Sequence, residues 1–98
     1  MSEANETLSE AAAATLAPAP SGTDEHTLRG LRMLFRIADG YWARGAVRQA
    51  LELYTEIHDR YGHLPEAGPA ETRLVEIAEW FEAKGDLRQA RALAERFM

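Results

Sequence analysis

The chain lacks the residue types from which most enzyme active sites and disulfide-bonded folds are built. None of its 98 residues is a cysteine, which excludes disulfide bonds and thiolate metal sites. From Leu28 onward it has no serine and no asparagine, and Lys84 is its only lysine. A hydroxyl or thiol nucleophile beside a histidine therefore cannot be built, apart from the unfavourable Thr55 and Thr72. A glycine-rich phosphate loop is also missing, so we predict neither enzymatic activity nor a cofactor.

A surplus of basic charge is missing as well. The formal net charge is −5, from 16 acidic and 11 basic side chains, and Glu3, Glu6 and Glu10 near the start carry much of the excess. A nucleic-acid-binding face needs clustered basic residues, so we expect no nucleic-acid partner. No apolar run approaches the length of a membrane span, and no targeting signal is visible. We therefore expect no membrane partner and a cytoplasmic location.

The first 22 residues differ in composition from the rest. Residues 1–20 are rich in Ala, Glu, Ser and Thr, with no aromatic and no basic side chain. Such a segment cannot bury enough apolar surface to offset the entropy lost on ordering. We predict a disordered, acidic, Ala/Pro-rich tail over residues 1–22, either simply solvating or a short docking peptide, and one helical domain over residues 23–98.

A ten-residue phrase occurs twice, 40 positions apart. Residues 41–50 read YWARGAVRQA and residues 81–90 read FEAKGDLRQA. Each copy has an aromatic residue near the end of one helical apolar period, a glycine at the turn and an alanine early in the next period. Such a repeat is typical of a supersecondary unit that stacks on its neighbour. We predict an all-α fold of four helices in two antiparallel hairpins, with Gly45 and Gly85 in left-handed turns.

Apolar residues at steps of three and four define one face of each predicted helix. Thr23 is the predicted N-cap of the first helix, Pro69 lies in the first turn of the third, and Asp86 caps the fourth. Residues 62–69 form a loop. The predicted apolar faces are Leu28, Leu31, Leu34, Phe35, Ile37, Ala38, Tyr41 and Trp42 in the first helix, Val47, Ala50, Leu51, Tyr54, Ile57 and Tyr61 in the second, Leu74, Ile77, Ala78 and Phe81 in the third, and Leu87, Ala90, Leu93, Ala94 and Phe97 in the fourth. Of these, Phe35 and Trp42 lie off the most inward stripe of the first helix.

The spacing of these residues resembles the tetratricopeptide repeat family. The first hairpin reads Leu34-x₂-Ile37-Ala38-x₂-Tyr41 and then Ala50-x₃-Tyr54, and the second reads Leu74-x₂-Ile77-Ala78-x₂-Phe81 and then Ala90-x₃-Ala94. The period is 40 residues, whereas that of the family is about 34. This longer connection leaves two arrangements open, a regular superhelical stack and an ordinary four-helix bundle.

The resemblance implies that the first helix of each hairpin lines a concave binding surface. One half of that surface is basic with two aromatic residues, and the other half is acidic. The family's Lys and Asn clamp for a C-terminal carboxylate is not expected, because the first helix has neither residue. The alternative is an ordinary exposed face. The residues that the resemblance places there are Arg32, Phe35, Arg36, Asp39 and Trp42 in the first hairpin, and Thr72, Val75, Glu76, Glu79 and Glu82 in the second.

His58, Asp59 and His63 form the only constellation that resembles a metal site. Because a spacing of five residues does not place two histidines on one helix face, we interpret them as structural residues at a helix end and predict no metal. The glutamates of the third helix are interpreted as a solvated face, since a catalytic carboxylate pair needs an enclosing cleft.

These observations predict a non-catalytic protein-interaction module, such as an adaptor, assembly factor or small chaperone, which binds a peptide or helix of a protein partner. The alternative is a structural or accessory subunit docked on a larger complex or on copies of itself. A folded region this small has only a marginal core, and its last helix ends in an apolar stripe, Leu93, Ala94, Phe97 and Met98, which we expect to face water. We therefore predict a homodimer of antiparallel copies that cover Phe97, or a tight complex with a larger partner.

Overall fold

The computed structural model describes residues 24–98, which form two helical hairpins. No strand occurs in this part of the chain, so the all-α prediction is confirmed. The predicted disordered tail lies outside the described residues. The predicted loop over residues 62–69 is partly wrong, because it contains a short 3₁₀ turn, Pro65–Ala67, and the third helix already begins at Gly68. The helices are α1, Glu25–Ala43; α2, Val47–Tyr61; α3, Gly68–Ala83; and α4, Leu87–Phe97.

Side chains and a proline define the starts of three helices. Asp24 is the N-cap of α1, and its carboxylate accepts a hydrogen bond from the Thr27 N–H at 2.7 Å. This bond holds the pKa of Asp24 below its usual value. The prediction of Thr23 as the N-cap is therefore wrong. The backbone at Asp24 is still extended, and its carboxylate accepts from an N–H of the first helical turn, as an N-cap does. Asp86 caps α4 as predicted, and Pro69 lies in the first turn of α3 as predicted.

Both hairpins turn on a glycine in the left-handed region, as predicted. The backbone φ angle is 79° at Gly45 and 86° at Gly85. In each turn the N–H that follows the glycine donates to the carbonyl five residues earlier, at 2.9 Å. The glycine N–H donates in turn to the carbonyl three residues earlier, at 3.0 Å. The same sequence signal has thus produced the same helix-ending motif twice.

We expect Gly45→Val and Gly85→Val each to lower the free energy of unfolding by about 1–2 kcal/mol. A Cβ at either position would meet no atom within 4 Å, so the loss comes from the backbone conformation and not from a clash. Gly30→Ala is the matched control, because Gly30 lies inside α1 with equally open surroundings. That replacement should stabilise the fold by about 0.5–1 kcal/mol. Urea unfolding followed by circular dichroism measures all three, and an unchanged stability in the valine variants would contradict the prediction.

The core lies between the helices of each hairpin and between α2 and α3, which join the hairpins. Ala38 and Ala50 are fully buried where α1 and α2 approach each other. The largest fully buried side chains are Tyr54, Leu31, Ile57, Leu74 and Ile77. No helix of residues 24–98 is both long and apolar enough to cross a membrane.

Two residues predicted to face inward are exposed. The side chain of Ile37 is 44% exposed and that of Leu87 is 63% exposed. Their counterparts 40 positions away, Ile77 and Val47, are 0% and 7% exposed. The repeat position is the same in each pair, but Ile77 and Val47 belong to the surfaces that join the two hairpins. Ile37 and Leu87 lie on the outer surfaces, against which no described element packs.

The predicted apolar stripe at the end of α4 is also corrected by the structure. Leu93 and Phe97 are both buried, and the Phe97 ring packs edge-on against the ring of His58, with 4.8 Å between centroids. Of the four residues of that stripe, Met98 is the most exposed. The prediction that Phe97 faces water is therefore wrong, because α2 lies close enough to cover it.

Candidate protein-binding surface

The first helices of the two hairpins meet at a shallow groove. Phe35 and Asp39 of α1 form one wall, and Pro69, Thr72 and Arg73 of α3 form the other. Phe35 is half-buried, and its ring lies 6.5 Å from the ring of the buried Tyr54 in α2. The groove therefore has an apolar wall at Phe35, with the charged side chains of Asp39 and Arg73 beside it.

A polar network fixes the charged side of this groove. The Tyr54 hydroxyl donates a hydrogen bond to Oδ1 of Asp39, and Nε of Arg73 lies 3.6 Å from the same oxygen. Nη1 of Arg73 donates to Oε1 of Glu76 at 2.7 Å. Burial and the bond to Asp39 raise the pKa of Tyr54, and the bond to Glu76 raises the pKa of Arg73. Three helices are thus tied together through a carboxylate at the edge of the groove.

The other residues predicted for the concave surface lie in three settings: exposed on α1, against the core, and, together with Val75, in a second groove. Arg32 and Arg36 are exposed on α1, and Arg32 donates to Glu25 at 2.8 Å. Trp42 is partly buried against the core. Glu79 and Glu82 are exposed but line a second groove, between α3 and α4.

Phe97, the remaining predicted binding residue, is not part of either groove. Only 7% of its side chain is exposed. Because it belongs to the core cluster, a partner could not reach its ring without opening the packing of α2 against α4.

Sequence reasoning missed Arg73, which organises the groove. Arg73 stands one helical turn before Ile77 and two turns before Phe81, both of which are buried. A cation on a row of buried apolar residues indicates an acidic partner from another element, since such charges are buried only when paired. The position of Arg73 on this row could have predicted an ion pair, but it could not have identified Asp39 as the partner.

The histidine region has contacts of its own. Nδ1 of His58 lies 3.6 Å from Oδ1 of Asp59. Asp59 accepts hydrogen bonds at 2.7 and 2.9 Å from Arg96, which joins α2 to α4. His63 is exposed in the following loop. Within residues 24–98, no three side chains of His, Cys, Asp or Glu are placed to hold a metal ion.

Comparisons with known proteins return no relative. No protein-family model matches the chain. No curated protein matches it, and no solved structure does so. The tetratricopeptide resemblance therefore stays a prediction from residue spacing.

Proposed function

We propose that this protein is a non-catalytic, cytoplasmic protein-interaction module of tetratricopeptide type, an adaptor or assembly factor. The observation that carries the proposal is the groove in which Phe35, Asp39 and Arg73 meet, beside the exposed Arg32 and Arg36. Its partner is a helix or extended peptide that offers an apolar side chain to Phe35 and acidic side chains to Arg36 and Arg32. At Arg32 the partner's carboxylate would replace the exposed bond to Glu25.

The form of the groove supports a peptide as its ligand. It opens to solvent between α1 and α3, so a peptide segment can lie across it, whereas small molecules bind mainly in concave pockets that bury most of their surface. Arg73 is already held by Asp39 and Glu76, so it forms a fixed wall. Such a wall reduces the entropy that binding would otherwise cost.

Selection from a displayed peptide library with the full chain as bait tests the proposal. We expect enriched peptides to combine one large apolar residue with neighbouring acidic residues. By fluorescence anisotropy, Arg36→Glu should weaken binding of a selected peptide about tenfold and reduce its dependence on salt. Arg48→Glu is the matched control, because Arg48 is exposed on α2 and does not line the groove.

The result that would overturn the proposal is equally specific. A selection without enrichment would show that the groove has no peptide preference. Equal loss of affinity in the Arg36 and Arg48 variants would show attraction to the overall charge instead of recognition at α1. Unchanged circular dichroism spectra of both variants exclude unfolding as the cause.

A further inference from the structure

The contact between the two hairpins uses one row of residues on α3. Arg73, Ile77 and Phe81 stand one turn apart and therefore share a face. Arg73 reaches Asp39 in α1, and Phe81 lines a recess together with Val47 at the start of α2. This row is how the second hairpin packs on the first.

The counterpart of this row on α1 is uncovered. Forty positions earlier stand Met33, Ile37 and Tyr41. Met33 is 54% exposed and Ile37 is 44% exposed, the two most exposed large apolar side chains of α1. Ile77 is thus fully buried in the second repeat while its counterpart Ile37 is open to water, and Tyr41 is partly buried against the core.

The second hairpin has a surface, formed by α3 and α4, that corresponds to the surface of the first hairpin on which α3 packs. No described element packs on it. In the first hairpin it includes Ala38, Val47, Ala50 and Tyr54, all of them buried. The corresponding residues of the second hairpin line an open groove between α3 and α4, in which Ala78 is buried, Ala90 and Ala94 are partly buried and Leu87 is exposed. Leu87 illustrates the difference, since 63% of its side chain is exposed where that of Val47 is 7% exposed.

The α1 row and the α3–α4 groove carry opposite charges at corresponding positions of the 40-residue repeat. Within one chain, Pro69 of α3 lies in the groove beside Asp39 of α1. In a contact between two copies, Arg29 of one copy takes the place of Pro69, and Glu79 of the other takes the place of Asp39. Lys84 shares a recess with Ala46 at the first hairpin turn.

The counterparts of Lys84 and Ala46 are Arg44 and Asp86. The contact between copies thus has an opposite-charge pair at each end, Arg29 with Glu79 and Arg44 with Asp86. Within one chain, one member of each corresponding pair is neutral, Pro69 or Ala46. Such pairs fix the orientation and register of two partners more than they add affinity.

We propose that copies of this chain associate head to tail, with the α1 row of one copy packed into the α3–α4 groove of the next. The contact repeats between chains the packing that joins the two hairpins within one chain. It is heterologous, so it leaves a free α1 row at one end and a free groove at the other, and growth is open-ended. This arrangement replaces the two-fold dimer expected from an exposed Phe97. It does not use Phe35, Asp39 or Arg73 of the peptide groove, although Arg32, the counterpart of Thr72, stands beside the contact.

Sedimentation of the full chain over a range of micromolar concentrations tests the proposal. The mean mass should rise with concentration and pass that of a dimer. Ile37→Glu removes the row and Leu87→Glu removes the groove, so each variant alone should remain a monomer. An equimolar mixture of the two should form a dimer and nothing larger, because one intact row meets one intact groove.

Several results of that experiment would overturn the proposal. One is a wild-type monomer at every concentration, which is also the result if another segment of the same chain covers the groove. Growth that stops at a dimer would indicate a two-fold contact instead, and a mixture that stays monomeric would show that row and groove do not bind each other. Leu87→Glu, which lies on α4 and does not line the peptide groove, should keep its affinity for a selected peptide, so failure here is distinguishable from failure of the peptide groove.

Cross-linking tests the register with variants that introduce no charge into the contact. The natural chain has no cysteine, so introduced thiols are the only ones present. A Met33→Cys copy mixed with a Glu79→Cys copy should give a covalent dimer with a short bis-maleimide, since these positions correspond to Arg73 and Asp39. Met33→Cys with Glu52→Cys, which lies on α2 away from the groove, should not. Equal yields in the two mixtures, or none in the first, would overturn the proposed register.

Discussion

Replacing Ile77 by alanine is expected to lower the free energy of unfolding by about 2–5 kcal/mol, whereas the same change at Ile37 should alter it by about 0.5 kcal/mol or less. The two residues occupy the same position of the repeat, 40 residues apart. Ile77 is fully buried between the hairpins, so its loss removes apolar contacts and leaves a cavity. Ile37 is 44% exposed on the outer side of α1, where water can fill the space.

Urea unfolding at low micromolar concentration measures both changes, because dilution keeps the α1 row free of a second copy. Val47→Ala and Leu87→Ala form a second matched pair. The free energy of unfolding should fall more in Val47→Ala, because Val47 is buried and Leu87 is exposed. Similar losses at Ile37 and Ile77 would show that Ile37 is packed within a single chain, and the described outer surface of α1 would then be wrong.

Replacing Asp39 by alanine should lower the free energy of unfolding by about 1–3 kcal/mol. The change removes the acceptor of the Tyr54 hydroxyl, which belongs to a fully buried side chain and would be left without an acceptor for its proton. Tyr54→Phe removes the donor as well, so the double variant should lose less than the sum of the two single losses. Additive losses in this double-mutant cycle would contradict a direct Asp39–Tyr54 interaction.

The same network predicts a response to alkaline pH. The folded-state pKa of Tyr54 lies above its ordinary value of 10.0, chiefly because of burial and then because its hydroxyl donates to Asp39. A group with a raised pKa contributes its stability in full below the unfolded pKa and loses it as pH rises beyond that value. Unfolding free energies should therefore fall more steeply between about pH 9 and pH 11 in the wild type than in Tyr54→Phe. Equal slopes would show that Tyr54 ionises with little cost in the folded state.

Local features of the fold were predictable because they depend on short stretches of chain. Gly45 and Gly85 stand where an apolar helical period ends, and only a residue tolerant of positive φ ends a helix in this way. Asp86 was identified as a cap for a similar reason, since a short carboxylate before an apolar period can accept from the first turn. The N-cap of α1 was placed one residue early because Thr23 and Asp24 are both good caps.

The candidate site was only partly predictable. Phe35 and Asp39 were placed on a binding face through a family resemblance, and the structure brings them together with Arg73, which was missed. Periodicity assigned α3 its apolar face, but it gives no information on which residue of another helix an arginine meets. Glu79 and Glu82 were assigned to the same face, yet they line the groove toward α4.

The sequence by itself determined the four helices, the two glycine turns and the pairing of helices into hairpins, because dihedral preferences, caps and apolar period are properties of neighbouring residues. Only the tertiary structure decided which of the equivalent apolar residues are buried. Ile37 and Ile77 follow the same local pattern, and they differ only in whether another hairpin lies against them. Burial is set by residues of other helices, which no local pattern identifies. The two outer surfaces, and the burial of Phe97 beneath His58, could therefore be found only once the helices were packed.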